Sequence, residues 1–209
     1  MQKNGTTQQQ ILAAALSKFA SRGYAGTSVQ DIVDAARVTK PTLYYYFANK
    51  VGLYQALVDS AHDERYRLMQ EAVKRGHTLK EQLVEILTAL FDYALGHREL
   101  MRVAFATAFA AAEELPKELD YTGKCKRSFE FMHSLIKQGL AEGMLDRRFN
   151  SQELATGFHG SMNVYVISHL LMPECTLDRR TAERVVQLFL DGAAAGKTIH
   201  KGSAKSRKP

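Results

Sequence analysis

Long apolar runs are missing from this chain. No stretch approaches the roughly eighteen apolar residues of a transmembrane helix, so no membrane partner is expected. Met1–Gln10 is polar and lacks an apolar core segment, so no secretory leader is expected either. Cysteine is scarce: Cys125 and Cys175 are the two present, and they match neither a metal-ligand spacing nor a disulfide framework. Free thiols in a cytoplasmic protein are the expectation, with a redox switch as the lesser alternative. His133, His159 and His169 fall on predicted helices with no partner histidine three or four positions away, which argues against a metal site. There is no Gly-rich phosphate loop, no Gly-x-Ser-x-Gly and no His-Glu-x-x-His, so no enzyme class and no cofactor is indicated. Period-two alternation and internal repeats are also absent. An all-α fold of about nine helices is what remains.

What is present is a globular balance, 45% hydrophobic and 24% charged, in 209 residues. That length suits one modest head and a larger second domain with a sizeable core. The net charge of +6 is unevenly placed. Residues 1–50 carry six Lys/Arg against Asp31 and Asp34, residues 197–209 carry five Lys/Arg and no acid, and the middle is net acidic. Positive charge at the head is what nucleic-acid binding requires. The basic tail reads more simply as a disordered, solubilising end.

The densest signal lies in Thr27–Lys50. Ser28 is a good N-cap, with Asp31 three residues on, where a capping-box acid belongs. Ile32, Val33, Ala35 and Ala36 give a helix of about two turns a small apolar face. The pattern breaks at Arg37-Val38. Thr39 is a second N-cap, and Pro41 falls in the first turn of the next helix, where a missing N–H costs nothing. Leu43 and Phe47 are four apart and share an inward face. Tyr44 and Tyr45, rotated by roughly 100° and 200° from Leu43, are presented outward with Lys40 and Thr42, and Tyr46 sits at the edge of the buried face. Outward aromatics beside Lys40 and Lys50 ask for an anionic partner, and the helix N-termini near Ser28, Thr39 and Asn49 favour phosphates. Helix, tight turn and a polar, basic second helix is the helix-turn-helix arrangement of DNA-binding proteins. The alternative is a helical hairpin whose tyrosines pack on a partner protein.

Ile11 to Leu53 resembles the N-terminal domain of the tetracycline-repressor (TetR) family of bacterial regulators. The resemblance rests on Ile11-Leu12-Ala13-Ala14-Ala15-Leu16, Phe19, Gly23-Tyr24, Thr27-Ser28-Val29, Asp31-Ile32, Ala35-Ala36, Val38-Thr39-Lys40, Thr42-Leu43-Tyr44, Phe47, Asn49-Lys50 and Leu53, collinear and without a gap. It implies a homodimer on double-stranded DNA, with Thr39–Phe47 of each subunit in successive major grooves. Thr27, Ser28, Tyr44, Tyr45 and Lys50 would hold phosphates, and Gln30, Lys40, Pro41 and Thr42 would lie nearest the base edges. It divides the chain into a helix-turn-helix domain (1–50), a helical effector-binding and dimerisation domain (51–196) and the basic tail (197–209). The function implied is a ligand-responsive regulator, a repressor released by a small apolar or aromatic effector, with activation left open. One departure stands out: the family usually has Gly where this chain has Arg37. A left-handed turn there costs a non-glycine residue about 1 kcal/mol. Arg37 is then either a phosphate contact or a solvated residue in an altered turn.

The rest of the chain continues in helical pattern. Thr7 with Gln10 reads as the first cap and Gly23 as the first stop; Phe19, Tyr24, Ile32, Val38, Leu43 and Phe47 form the head's predicted core. A long lever helix runs from Asn49 to Arg75, where Gly76 is a C-cap. Thr78 with Glu81 caps a helix that ends at Gly96; further helices span His97–Ala112, Pro116–Glu142, Ser151 to Pro173, and Asp178 to Ala195. Gly157, Gly160, Ser161, Val164 and Ser168 on one of the last two, with Val185, Val186, Leu188, Phe189, Gly192 and Ala193 on the other, fit a four-helix dimer interface or a simple cover for the core. Phe91, Phe105, Phe109, Phe129, Met132, Phe158, Met162 and Tyr165, with His133, His159 and Asn163 near them, either line an effector pocket or fill the core.

Overall fold

Most helices begin where a short polar side chain takes up a free backbone N–H, and these caps set the chain's punctuation. In the computed structural model, which describes residues 6–111, 114–172 and 174–193, no strand occurs among the described residues. The helices are α1 (Thr7–Arg22), α2 (Val29–Ala36), α3 (Lys40–Tyr46), α4 (Lys50–Ala72), α5 (Leu79–Gly96), α6 (Arg98–Phe109), α7 (Thr122–Ala141), α8 (Ser151–Leu171) and α9 (Arg179–Ala193), with a 3-10 turn at Val73–Arg75 after α4. Ser28 with Asp31 and Thr78 with Glu81 form reciprocal capping boxes, Thr39 and Asn49 cap α3 and α4, and the Asp178 carboxylate accepts from the Thr181 N–H at the start of α9.

Three boundaries differ from the sequence reading. The α1 capping box is Thr6 with Gln9, one residue earlier than Thr7 with Gln10. α6 ends at Phe109 and not at Ala112, which lies outside the described residues along with Pro173, residues 194–196 and the tail. α7 begins at Thr122 and not at Pro116. The cause is remote in sequence: Gln55 on α4 grips the Asp120 backbone, its amide donating to the carbonyl at 2.7 Å and its oxygen accepting from the N–H at 2.9 Å. A backbone satisfied by a side chain has no need of a helical partner.

α1, α2 and α3 pack as a small bundle on Ile11, Ala15, Phe19, Ile32, Val33, Leu43 and Phe47, and α4 carries the core onward through Leu53, Leu57, Val58 and Ala61. α5 is buried along most of its length and sits among α4, α6, α8 and α9. Gly76 lets the 3-10 turn lie against the start of α5: a Cβ there would stand 2.4 Å from the Gln82 nitrogen. α6 lies against both α1 and α4, so the head touches the rest of the molecule by two routes. Among the described residues no helix is long and apolar enough to cross a membrane.

Candidate nucleic-acid interface and interior cavity

The α2–α3 corner is a Schellman turn. The Arg37 N–H donates to the Asp34 carbonyl (3.3 Å) and the Val38 N–H to the Val33 carbonyl (3.0 Å). Arg37 takes the left-handed position at φ 54°, the one non-glycine residue with positive φ among the described residues. Its side chain is exposed. Arg37→Gly is therefore expected to stabilise the fold by about 1 kcal/mol, read as a raised urea midpoint; an unchanged or lower midpoint would mean that the arginine makes a compensating contact.

α3 is pinned by Leu43 (0% exposed) and Phe47 (7%) and presents Lys40, Pro41, Tyr44 (47%) and Tyr45 (83%) to solvent. Tyr46 is also exposed, edge-on to the Tyr45 ring at 5.0 Å. Thr42 is half-buried and shares a hydrogen bond with the capping Thr39 (2.9 Å between hydroxyls). Gln30 is exposed on α2 and donates to Asp34. Ser28 is exposed but occupied: it accepts from the Asp31 N–H, and hydrogen bonds from the Ser28 hydroxyl and N–H hold the Asp31 carboxyl below its usual range. Lys50 lies back over the Tyr24 ring, Nζ 4.1 Å from its centroid, and partial burial lowers its pKa.

Thr27 departs from its expected role. Its side chain is 1% exposed, and the hydroxyl bonds the Lys18 carbonyl (3.2 Å) and the Gly23 carbonyl (2.9 Å). It fastens the end of α1 to the start of α2, and its hydroxyl is engaged by these two carbonyls.

A second site lies inside the molecule. A cavity of about 160 Å³ opens between α4, α6, α7 and α8. Of the residues expected at a pocket, it gathers Phe105, Phe109, Met162, His159 and Asn163. Phe91, Met132 and Phe158 are fully buried core, filling space and not lining it. Phe129 stands behind the cavity wall with its ring against His133 and His159, and His133 is engaged with the Ser151 hydroxyl at 2.8 Å. Tyr165 faces a different hollow, between α8 and α9.

The polar side of the cavity is His62, Arg65, Cys125, Ser128, His159 and Asn163. Arg65 donates to Asn163 Oδ1 at 3.0 Å, so the Asn163 amide nitrogen is left to donate to His159 Nδ1 at 3.1 Å. Burial and then the Arg65 charge push His159 down to about 4, and the same two causes push His62 to about 4. Both rings are neutral at pH 7. His62 and Arg65 were legible as a break in pattern, since α4 is otherwise buried at Tyr54, Val58, Ala61, Met69 and Ala72 on the same face. Among the described residues no three His, Cys, Asp or Glu stand together as metal ligands, and both cysteines are free.

A buried hydrogen bond ties α4 to α6 between the head and the cavity. Thr107 on α6 donates to the Val103 carbonyl and receives the Tyr54 hydroxyl at 2.8 Å. The Tyr54 ring packs edge-on against Phe19 (4.9 Å) and Tyr24 (5.0 Å) of the head.

Comparison with known proteins bears on both sites. Residues 11–57 match the family profile described as bacterial regulatory proteins, tetR family. The chain is 29% identical over 102 residues to the probable HTH-type transcriptional regulator YttP of Bacillus subtilis, covering 48% of this chain and 49% of that protein. It is 46% identical over 57 residues to the HTH-type transcriptional regulator TtgR of Pseudomonas putida, covering 27% of each. The chain thus spans about half the length, or less, of these curated relatives. In fold it is similar to the transcriptional regulator FadR of Bacillus subtilis, solved in complex with stearoyl-CoA, at TM-score 0.71 and 20% identity over 88% of this chain and 98% of that one.

Proposed function

Since residues 11–57 belong to the tetR family of bacterial regulatory proteins, we propose that the whole chain is a DNA-binding transcriptional repressor, a homodimer released by a small molecule held in the interior cavity. The outward face of α3 carries this reading: Lys40, Pro41, Tyr44 and Tyr45 stand clear of the protein on a helix whose only buried side chain is Leu43. In a major groove, Lys40, Pro41 and Thr42 lie at the N-terminal end of α3 nearest the base edges, with Gln30 beside them on α2. Tyr44 and Tyr45 reach phosphates on either side, with Ser28 at the N-terminus of α2.

One α3 reads few bases, so a near-palindromic operator and a two-fold partner follow. The face that supports dimerisation is α8 with α9. Val164 (58% exposed) and Leu188 (71%) point outward, and a Cβ on Gly157, Gly160 or Gly192 would meet open space, so the protomer's own packing does not require those glycines. An effector seated in the cavity touches both α4 and α6 and can shift one against the other. Tyr54 and Thr107 then transmit the shift to α1, changing the separation of the two α3 helices from the half-site spacing of about 34 Å. This assigns residues 1–50 to DNA and 51–196 to effector and partner.

Fluorescence anisotropy with the duplex upstream of the gene, against a scrambled duplex at two salt concentrations, tests the reading. Tight, sequence-specific binding that weakens steeply with salt is expected. Tyr44→Ala should weaken binding to every sequence by about tenfold to a hundredfold, since each dimer loses two phosphate contacts of roughly 1 kcal/mol. An altered sequence preference at intact affinity would reverse the division of roles, and no binding at low salt to either duplex would refute DNA recognition.

A further inference from the structure

Arg65 is a cation without an anion. It lies on α4 in the wall of the cavity, its side chain only partly exposed, and desolvation lowers its pKa. Its partners are neutral: Asn163 Oδ1 at 3.0 Å and the Phe105 ring, 5.6 Å from the guanidinium carbon to the centroid. The carboxylates nearest to it along α4 are committed elsewhere. Asp59 pairs with Lys124 (3.1 Å), Asp63 with Lys124 and Arg127 (2.7 Å each), and Glu64 with Arg67. No carboxylate pairs with Arg65 among the described residues. A buried charge is normally paired, because desolvation leaves an unpaired one costly. The other titratable groups around it do not supply the missing charge: His62 and His159 are neutral, and burial raises the Cys125 thiol and pushes the Tyr93 hydroxyl up to about 12.

We infer that the cavity is a site for a small organic anion, a carboxylate on an aromatic or short aliphatic body, with Arg65 as its counter-ion. The inference deepens the regulator reading and rests on it only for the consequence that binding alters DNA affinity. Arg65 offers the forked donors that a carboxylate fits, and Ser128 adds a hydroxyl to the cavity lining. Phe105, Met69 and Met162 supply an apolar wall for the body. The volume of about 160 Å³ is close to the roughly 150 Å³ of a cavity that takes benzene and well under the hundreds of Å³ of drug-sized sites. A single ring or a chain of a few carbons fits; a long acyl chain does not.

Isothermal titration calorimetry of the full-length protein without DNA tests this with benzoate and hexanoate as probes, against benzyl alcohol and benzylamine. Benzoate or hexanoate is expected to bind at least tenfold more tightly than the neutral and cationic compounds, and Arg65→Gln to remove that preference by about tenfold to a hundredfold. Arg65→Lys, which keeps the charge, should retain part of it. Because the ligand series is read on the native protein, the result does not depend on either variant folding. Equal affinity for benzoate and benzyl alcohol, or no binding of either carboxylate at millimolar concentration, would overturn the assignment. Anisotropy on an operator duplex then separates the two proposals: carboxylate binding without DNA affinity keeps the site and removes the regulator, whereas DNA binding indifferent to both carboxylates, with no heat of binding, does the reverse.

Discussion

Replacing Leu188 by Glu is expected to convert the proposed dimer to a monomer and to lower specific DNA affinity on the order of a thousandfold. Leu188 is 71% exposed on α9, at the hollow between α8 and α9 that Gly157, Ser161, Tyr165, Phe189 and Gly192 also border. In a two-fold interface the substitution enters twice, and two carboxylates must be desolvated in a largely apolar face. The protomer itself should not suffer, because a change at an exposed position away from caps and ion pairs moves stability by only about 0.5 kcal/mol. Sedimentation velocity would read the halved mass, and the circular dichroism spectrum would stay helical. A Leu188→Glu protein that remains dimeric and keeps its DNA affinity would place the dimer contact on another face.

The head was legible in the sequence because its determinants are local. Ser28, Asp31 and Thr39 act on N–H groups three residues away, Leu43 and Phe47 lie one turn apart, and the left-handed demand at Arg37 follows from a helix ending on a Schellman turn. The same local logic recovered the caps of α5 and α9. It failed where the deciding partner is distant. The start of α7 is set by Gln55, 65 residues before Asp120. Thr27 carries the residue type of a phosphate ligand, but the carbonyls of Lys18 and Gly23 reach it first. In the interior, periodicity marked Phe91, Phe105, Met132 and Phe158 alike as inward-facing; which of them borders empty space depends on how four helices meet, and a single helix holds no information on that. The informative residue was the one that broke the pattern. Arg65 occupies a position on α4 that apolar spacing reserves for the core.

Acid should unfold this protein from within. His62 and His159 have folded-state pKa values of about 4, lowered by burial first and by Arg65 second; Lys124 lowers His62 further, while Asp59 and Asp63 act in the opposite direction. Histidine in an unfolded chain titrates near 6.5, at roughly 1.4 kcal/mol per pKa unit of difference. The unfolded chain therefore binds more protons between these values. Stability is intact above about pH 6.5 and falls as the pH drops towards 4, by on the order of 3 kcal/mol per histidine when the titration is complete. The geometry gives the reason for His159: its Nδ1 accepts from the Asn163 amide, which Arg65 holds in that orientation, so a proton there breaks the bond and adds a second cation beside the first. Urea midpoints at pH 7 and pH 5 would show a loss of about 4 kcal/mol from the two rings together. Replacing both histidines by Gln, which keeps an acceptor and cannot ionise, should flatten most of that loss. A double variant that loses as much stability as the native protein over the same interval would mean that other groups, and not these two imidazoles, carry the acid sensitivity.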